Sequence, residues 1–244
     1  AFNQNIGTWN TANVTNMASM FQSATAFNQN LENWNVSNVT TFQSMFSGSS
    51  RFNQNIGSWN VFKVTSFISM FQNNIAFNNG GTSDINNWVL NSYSDVNMQQ
   101  MFQSATSFNQ PIGNWNVSKV TNMTQMFDSA TAFNQNIGNW NTSNVTSFYG
   151  MFSLAKSYNN GGNASINNWI IKTTGPINMA LMFNGATAFN QPLNSWNVSN
   201  VINTSFMFKS ASSFNNGLAP GIAGNMIWNV TSVLTSITEM FSGA

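Results

Sequence analysis

The sequence predicts an α/β solenoid of nine stacked coils, each with a short parallel strand and a short helical turn. Three recurrences predict it. An aromatic residue followed by asparagine opens each unit, at Phe2, Phe27, Phe52, Phe77, Phe108, Phe133, Tyr158, Phe189 and Phe214. A tryptophan follows each, at Trp9, Trp34, Trp59, Trp88, Trp115, Trp140, Trp169, Trp196 and Trp228. A Met-Phe pair then closes the unit, from Met20-Phe21 through Met126-Phe127 to Met240-Phe241. The spacing from Phe2 to Phe27 is 25 residues, and a fixed period of that size marks units that bury their apolar faces against their neighbours. Residues 1–244 therefore read as a single repeat domain, with coils starting at 2, 27, 52, 77, 108, 133, 158, 189 and 214.

The strand is expected in the first half of each unit. FNQNIGNWN, from Phe133, alternates apolar and polar residues through Gln135 and Ile137 and turns at Gly138. Such strands would stack about 4.8 Å apart. The helical turn is expected in the second half, where Met17, Met20, Phe21 and Ala24 follow the i, i+3, i+4, i+7 pattern of one helix face. Thr15 and its equivalents Thr40, Thr65, Thr121 and Thr146 are placed to cap it. A helix of about two turns needs packing from adjacent coils to persist.

Asparagine follows the leading aromatic in every unit: Asn3, Asn28, Asn53, Asn78, Asn109, Asn134, Asn159, Asn190 and Asn215. A second column follows most tryptophans, at Asn10, Asn35, Asn60, Asn116, Asn141, Asn197 and Asn229. Stacked, such columns become ladders, because an amide both donates and accepts. Carboxylates in the same place would repel their copies in the next coil. The expected role is structural.

Coils four and seven are enlarged by similar insertions, Phe77 to Trp88 (FNNGGTSDINNW) and Tyr158 to Trp169 (YNNGGNASINNW). Coil nine carries a different one, FNNGLAPGIAGNMIW from Phe214. Two readings stand: a contact face, where insertions in repeat proteins often gather, and surface elaboration, which costs little. The likeness of coils four and seven also points to duplication of a three-coil block.

These residues resemble the bacterial surface-protein family of leucine-rich-like repeats often called BspA-like, in its 25-residue variant. The motif FNQ-x-I-G-x-W-[ND]-x-S-x-V-T-x-M-x-x-M-F-x-x-A is met nearly whole by Phe108 to Ala130 and Phe133 to Ala155, and more loosely elsewhere. The resemblance implies a leucine-rich-repeat-like α/β solenoid in an exported, surface-exposed or adhesive protein.

Composition narrows the chemistry. Charged residues make up 5% and the net charge is +1, with Arg51, Lys63, Lys119, Lys156, Lys172 and Lys209 scattered, so a nucleic-acid partner is not expected. No apolar run reaches the ~18 residues of a membrane span, so no membrane insertion is expected. Without histidine or cysteine, the usual general base and a strong nucleophile are missing. No catalytic residue, cofactor or metal site is assigned, and an enzyme is not expected. Asp84 and Asp95 could meet in coil four around a cation, although loop acids are more often simply solvated. Sequons at Asn163, Asn13, Asn122, Asn203 and Asn229 are glycosylation candidates, Asn163 foremost because it lies in an insertion. Ladder asparagines beside Val-Thr also create sequons by accident.

Neither end carries a polar cap. Joining MFSGA, at the C-terminus, to AFNQNIG, at the N-terminus, nearly restores an internal junction such as MFQSATAFNQN. Phe2, Ile6, Trp9, Met240 and Phe241 are then the expected end-to-end contacts, and a head-to-tail contact that does not close gives a filament. The competing reading is a window cut from a longer array. The expected function is a non-enzymatic extracellular or cell-surface repeat protein whose partner is itself, stacked head to tail into a fibre. The alternative is an adhesin binding a host or matrix protein or a glycan through the inserted loops, with Phe62 on their rim. An ice-binding solenoid is a remote third, since threonine forms only one column.

Overall fold

The computed structural model describes residues 1–219, 221–222, 225–230 and 233–244. Tandem repeats and short parallel strands, with few helical segments, make an arrangement compatible with a solenoid, and the strands close no barrel. Strand β1 (Val96–Asn97) pairs in parallel with β2 (Val120–Asn122), and β3 (Ile177–Asn178) with β4 (Val201–Asn203). Single parallel bridges extend the same line in register: Asn16 to Thr41, Thr41 to Ser66, Ser66 to Asn97, Asn122 to Ser147, Ser147 to Asn178, and Asn203 to Ser236.

This ladder corrects the expected layout. The parallel pairing lies at the start of the second half of each unit, not along FNQNIG. Nor is the second half helical: among the described residues there is no α-helix, only short 3-10 segments at Asn79–Gly81, Ser83–Asn87, Asn160–Gly162 and Ala164–Asn168. Overlapping turns replace it. Met20 N–H reaches the carbonyl of Met17, Gln22 that of Ser19, and Ala24 that of Phe21. The intervening N–H groups, on Met17, Ser19, Phe21 and Ser23, donate to Thr41, Gln43, Met45 and Ser47 of the next repeat at 2.7–3.2 Å. A helix would keep these bonds inside one segment; here half of them join neighbours.

The turns require left-handed backbone twice per unit, at Ser19 (φ 56) and Ser23 (φ 58), and at Ser44 (φ 55) and Gly48 (φ 70) one repeat on. Each such non-glycine residue costs about 1 kcal/mol or more, offset by a bond to the next repeat. The helix-like spacing of Met17, Met20, Phe21 and Ala24 survives because successive turns also return every third or fourth side chain to one face. The threonines do not cap helices. Thr40 Oγ1 donates to the carbonyl of Thr15 at 3.1 Å, and Thr146 Oγ1 to that of Thr121 at 3.0 Å.

Two columns of phenylalanine-type rings run through a core that also holds the tryptophans and buried isoleucine, valine and methionine side chains. Leading rings stack from Phe2 to Phe214 with centroids 5.6–6.2 Å apart. Closing phenylalanines stack from Phe21 to Phe241 at 5.4–5.7 Å. The closing ring of one unit also lies on the leading ring of the next, as Phe46 on Phe52 at 3.9 Å. Offset stacking of this kind adds roughly 0.5–1.5 kcal/mol per pair beyond burial. Interior members such as Phe52, Phe71, Phe102 and Phe133 are fully buried.

Candidate functional site

The asparagines after the leading aromatics stand in one hydrogen-bonded column. Each Oδ1 accepts the backbone N–H of its equivalent in the next repeat, from Asn28 on Asn3 to Asn215 on Asn190, at 2.8–2.9 Å throughout. The second lone pair of the same oxygen is also used. Gln29, Gln54, Gln135 and Gln191 donate to it through Nε2 in ordinary repeats. Where the repeat is enlarged, the N–H of Gly80, Gly161 or Gly217 takes that role. The second asparagine column forms no ladder: Asn35, Asn116 and Asn141 each accept the N–H two residues on, within their own repeat. That is an Asx-turn, a local alternative open to any asparagine beside a bend.

Sequence reading missed what the tryptophans do. Each indole Nε1–H from Trp34 onward donates to the carbonyl of the isoleucine or leucine one repeat back, at 2.9–3.1 Å. Its acceptor is a backbone atom, so no side-chain pattern announces it. The glycine after most of those isoleucines is equally constrained. A Cβ on Gly7 would lie 2.7 Å from the Asn30 carbonyl oxygen, and one on Gly57 would meet the backbone and carboxyl of Asp84.

The two terminal faces expose what internal repeats bury. Phe2 is 47%, Trp9 55% and Phe241 50% exposed. Met240 is half-buried, and Ile6 is buried beneath the N-terminal face rather than on it. Polar groups on these faces are unpaired among the described residues, and those of one face complement those of the other. On the C-terminal face the N–H groups of Ile237, Glu239, Phe241 and Gly243 make no bond, together with Asn215 Oδ1 and the Thr235 carbonyl. On the N-terminal face the carbonyls of Asn16, Ala18, Met20 and Gln22 are free, as are Trp9 Nε1–H and the N–H of Asn3 and Thr15. Beside the first set lies a cavity of about 560 Å³, lined by Val201, Met226, Trp228, Leu234, Ile237 and Phe241.

The enlarged fourth repeat carries an acid tied by three side-chain hydrogen bonds, Asp84. Burial raises the Asp84 pKa, but hydrogen bonds from Thr82, Asn55 and Asn79 outweigh it and hold the carboxyl below its usual range. Asn79 Nδ2 and Thr82 Oγ1 reach Oδ1 at 2.7 and 2.6 Å, and Asn55 Nδ2 reaches Oδ2 at 2.8 Å. Asp95 is exposed, and among the described residues no group of three acids could hold a metal ion. Asn163, Asn13 and Asn229 are exposed, with Thr231 of the Asn229 sequon outside the described residues. Asn122 and Asn203 are half-buried strand residues whose Oδ1 atoms accept from Thr124 and Ser205.

Among the described residues no helix is long and apolar enough to cross a membrane. No curated protein and no solved structure matches the chain. A family model matches three overlapping stretches, residues 1–97, 80–174 and 161–244, which together take in every repeat. The second and third begin at residues 80 and 161, the same 81-residue offset (161 − 80) that separates Phe77 from Tyr158 (158 − 77). The chain therefore belongs to the family described as Mycoplasma protein of unknown function, DUF285.

Proposed function

We propose that this protein is a non-enzymatic, extracellular surface repeat protein that stacks head to tail on copies of itself. In this reading residues 1–244 form one leucine-rich-repeat-like solenoid of nine coils, and the fibre continues that stack across the chain boundary. The observation that supports it is the complementary placing of unpaired donors and acceptors on the two faces. The donors at Ile237, Glu239, Phe241 and Gly243 are spaced like those of Thr204, Phe206, Phe208 and Ser210, which bind the next repeat at 2.8–3.0 Å. The free carbonyls of Asn16, Ala18, Met20 and Gln22 are spaced like their acceptors. Reversed stacking would set donor against donor. Phe2 and Phe241 supply apolar area at the same contact, worth roughly 25 cal/mol per Å² buried.

The contact is heterologous and open, so it propagates rather than closes. Negative-stain electron microscopy with light scattering tests it directly. Uniform fibres that vanish in Phe2→Asp or Phe241→Asp would support the reading, whereas a monodisperse monomer at high concentration would end it. Ice binding is the weaker reading, since the hydroxyls of Thr40, Thr65 and Thr146 are already spent on carbonyls within the stack.

A further inference from the structure

We propose that the cleft between the third and fourth repeats binds a saccharide. It encloses about 720 Å³ and is walled by Ser58, Asn60, Phe62, Asp84, Asn87 and Val89. That volume is in the range of small-ligand sites, which pair apolar walls with a few placed polar groups. Phe62 is held edge-on by Tyr93, with ring centroids 5.7 Å apart and planes at 88°. Tyr93 is 81% and Val89 65% exposed, so the apolar rim stands open to solvent.

The polar groups suit hydroxyls. Asp84 is held ionised, and its Oδ2 accepts only from Asn55, leaving capacity for a further donor. Asn60 spends its Oδ1 on the N–H of Phe62 and keeps its Nδ2–H groups free. The Asn87 amide is exposed and makes no hydrogen bond. An acceptor, two amides and an apolar wall match a sugar ring, which offers hydroxyls at its edge and C–H groups on its face. An anionic ligand would face the charge of Asp84.

The seventh repeat provides an internal control. Its backbone repeats the fourth closely: Gly161 (φ 61, ψ 21) follows Gly80 (φ 63, ψ 13), and Asn160 bonds Ile137 N–H as Asn79 bonds Ile56 N–H. At the positions 81 residues on, Phe62, Asp84 and Tyr93 are replaced by Ser143, Ser165 and Thr174. The scaffold therefore does not need the aromatic pair or the acid. They distinguish one of two near-copies of the frame: Phe62 and Asp84 line the cleft, and Tyr93 packs against Phe62. The proposal is independent of end-to-end stacking.

The test is calorimetric titration of the 244-residue protein with cello-, malto- and chito-hexaose. The partner variant is Phe62→Ser/Asp84→Ser/Tyr93→Thr, which installs the residues that the seventh repeat already carries on the same frame. At least one sugar should bind with a Kd of about 0.1–1 mM, and the triple variant should bind it at least about tenfold more weakly with its thermal transition retained. No binding of any of the three up to about 10 mM would overturn the proposal, as would equal binding by the variant.

Discussion

The indole Nε1–H of Trp140 donates to the carbonyl oxygen of Ile112, 3.1 Å away and one repeat back along the stack. The indole itself is almost fully buried. A single side chain therefore fills the core of its own repeat and pairs a backbone group of the one before. Trp140→Phe should cost about 2–4 kcal/mol, combining lost volume with an unpaired carbonyl. Chemical denaturation of the variant against the parent measures it. A loss under about 0.5 kcal/mol would mean that the bond contributes nothing net.

The asparagine column predicts non-additivity. A single Asn109→Asp keeps the accepting oxygen for Asn134 N–H, now charged, and should change stability by less than about 1 kcal/mol. Asn109→Asp/Asn134→Asp sets two carboxylates in adjacent repeats. The pair should be worse than the sum of the singles by about 1 kcal/mol near neutral pH, and the excess should shrink as acid protonates the carboxylates. A double-mutant cycle run at neutral and at acidic pH checks this.

Gly57→Ala should destabilise by about 2 kcal/mol or more, because the new methyl meets the Asp84 carboxyl, which Asn55, Asn79 and Thr82 hold in place, and the Asp84 backbone behind it. Gly81→Ala, with nothing within 4 Å of its Cβ, should cost only the strain of its left-handed backbone (φ 82), about 1 kcal/mol. The ordering of the two thermal midpoints is the readout.

Tyr158 stands where the other repeats have phenylalanine, fully buried, with a hydroxyl that has no protein partner. Burial pushes its pKa well above the ordinary 10.0. Below that value the hydroxyl is protonated in both folded and unfolded chains, so stability does not respond to pH through it. Above it, the unfolded chain releases a proton that the folded chain retains, and stability falls by up to about 1.4 kcal/mol per pH unit. Tyr158→Phe should raise stability by about 1 kcal/mol at neutral pH. It should also move the alkaline unfolding midpoint upward, which circular dichroism between about pH 9 and 12 would follow.

The aromatic columns were legible in the sequence because a buried ring needs the same residue type at the same place in every unit. The asparagine after each leading aromatic was visible for the same reason. Strand and helical turn were misplaced because Met17, Met20, Phe21 and Ala24 satisfy consecutive turns as well as a helix face. Gly150 at the first left-handed position, and Gly48 and Gly185 at the second, are the available hint, blurred by Ser19 and Gln125 at the first and by Ser23, Ser129 and Leu154 at the second. Phe62 could be marked as a rim residue from its place in the repeat. Its pairing with Tyr93, 31 residues on (93 − 62), could not, because enlargement of the fourth repeat sets that distance.

The bonds between turns have a consequence for the molecule as an electrical object. In every repeat the linking N–H groups of the turns aim toward the C-terminal face and the matching carbonyls toward the N-terminal face. Peptide dipoles that would largely cancel in an antiparallel sheet therefore add along the stack, as they do along a helix. The threonine backbone bonds, such as Thr40 N–H to the Thr15 carbonyl, run the other way but are outnumbered by the turn bonds in each repeat. The stack is thus an aligned row with a positive and a negative pole. Rows of such molecules would orient in an applied field, and a fibre made from them would have two chemically different tips.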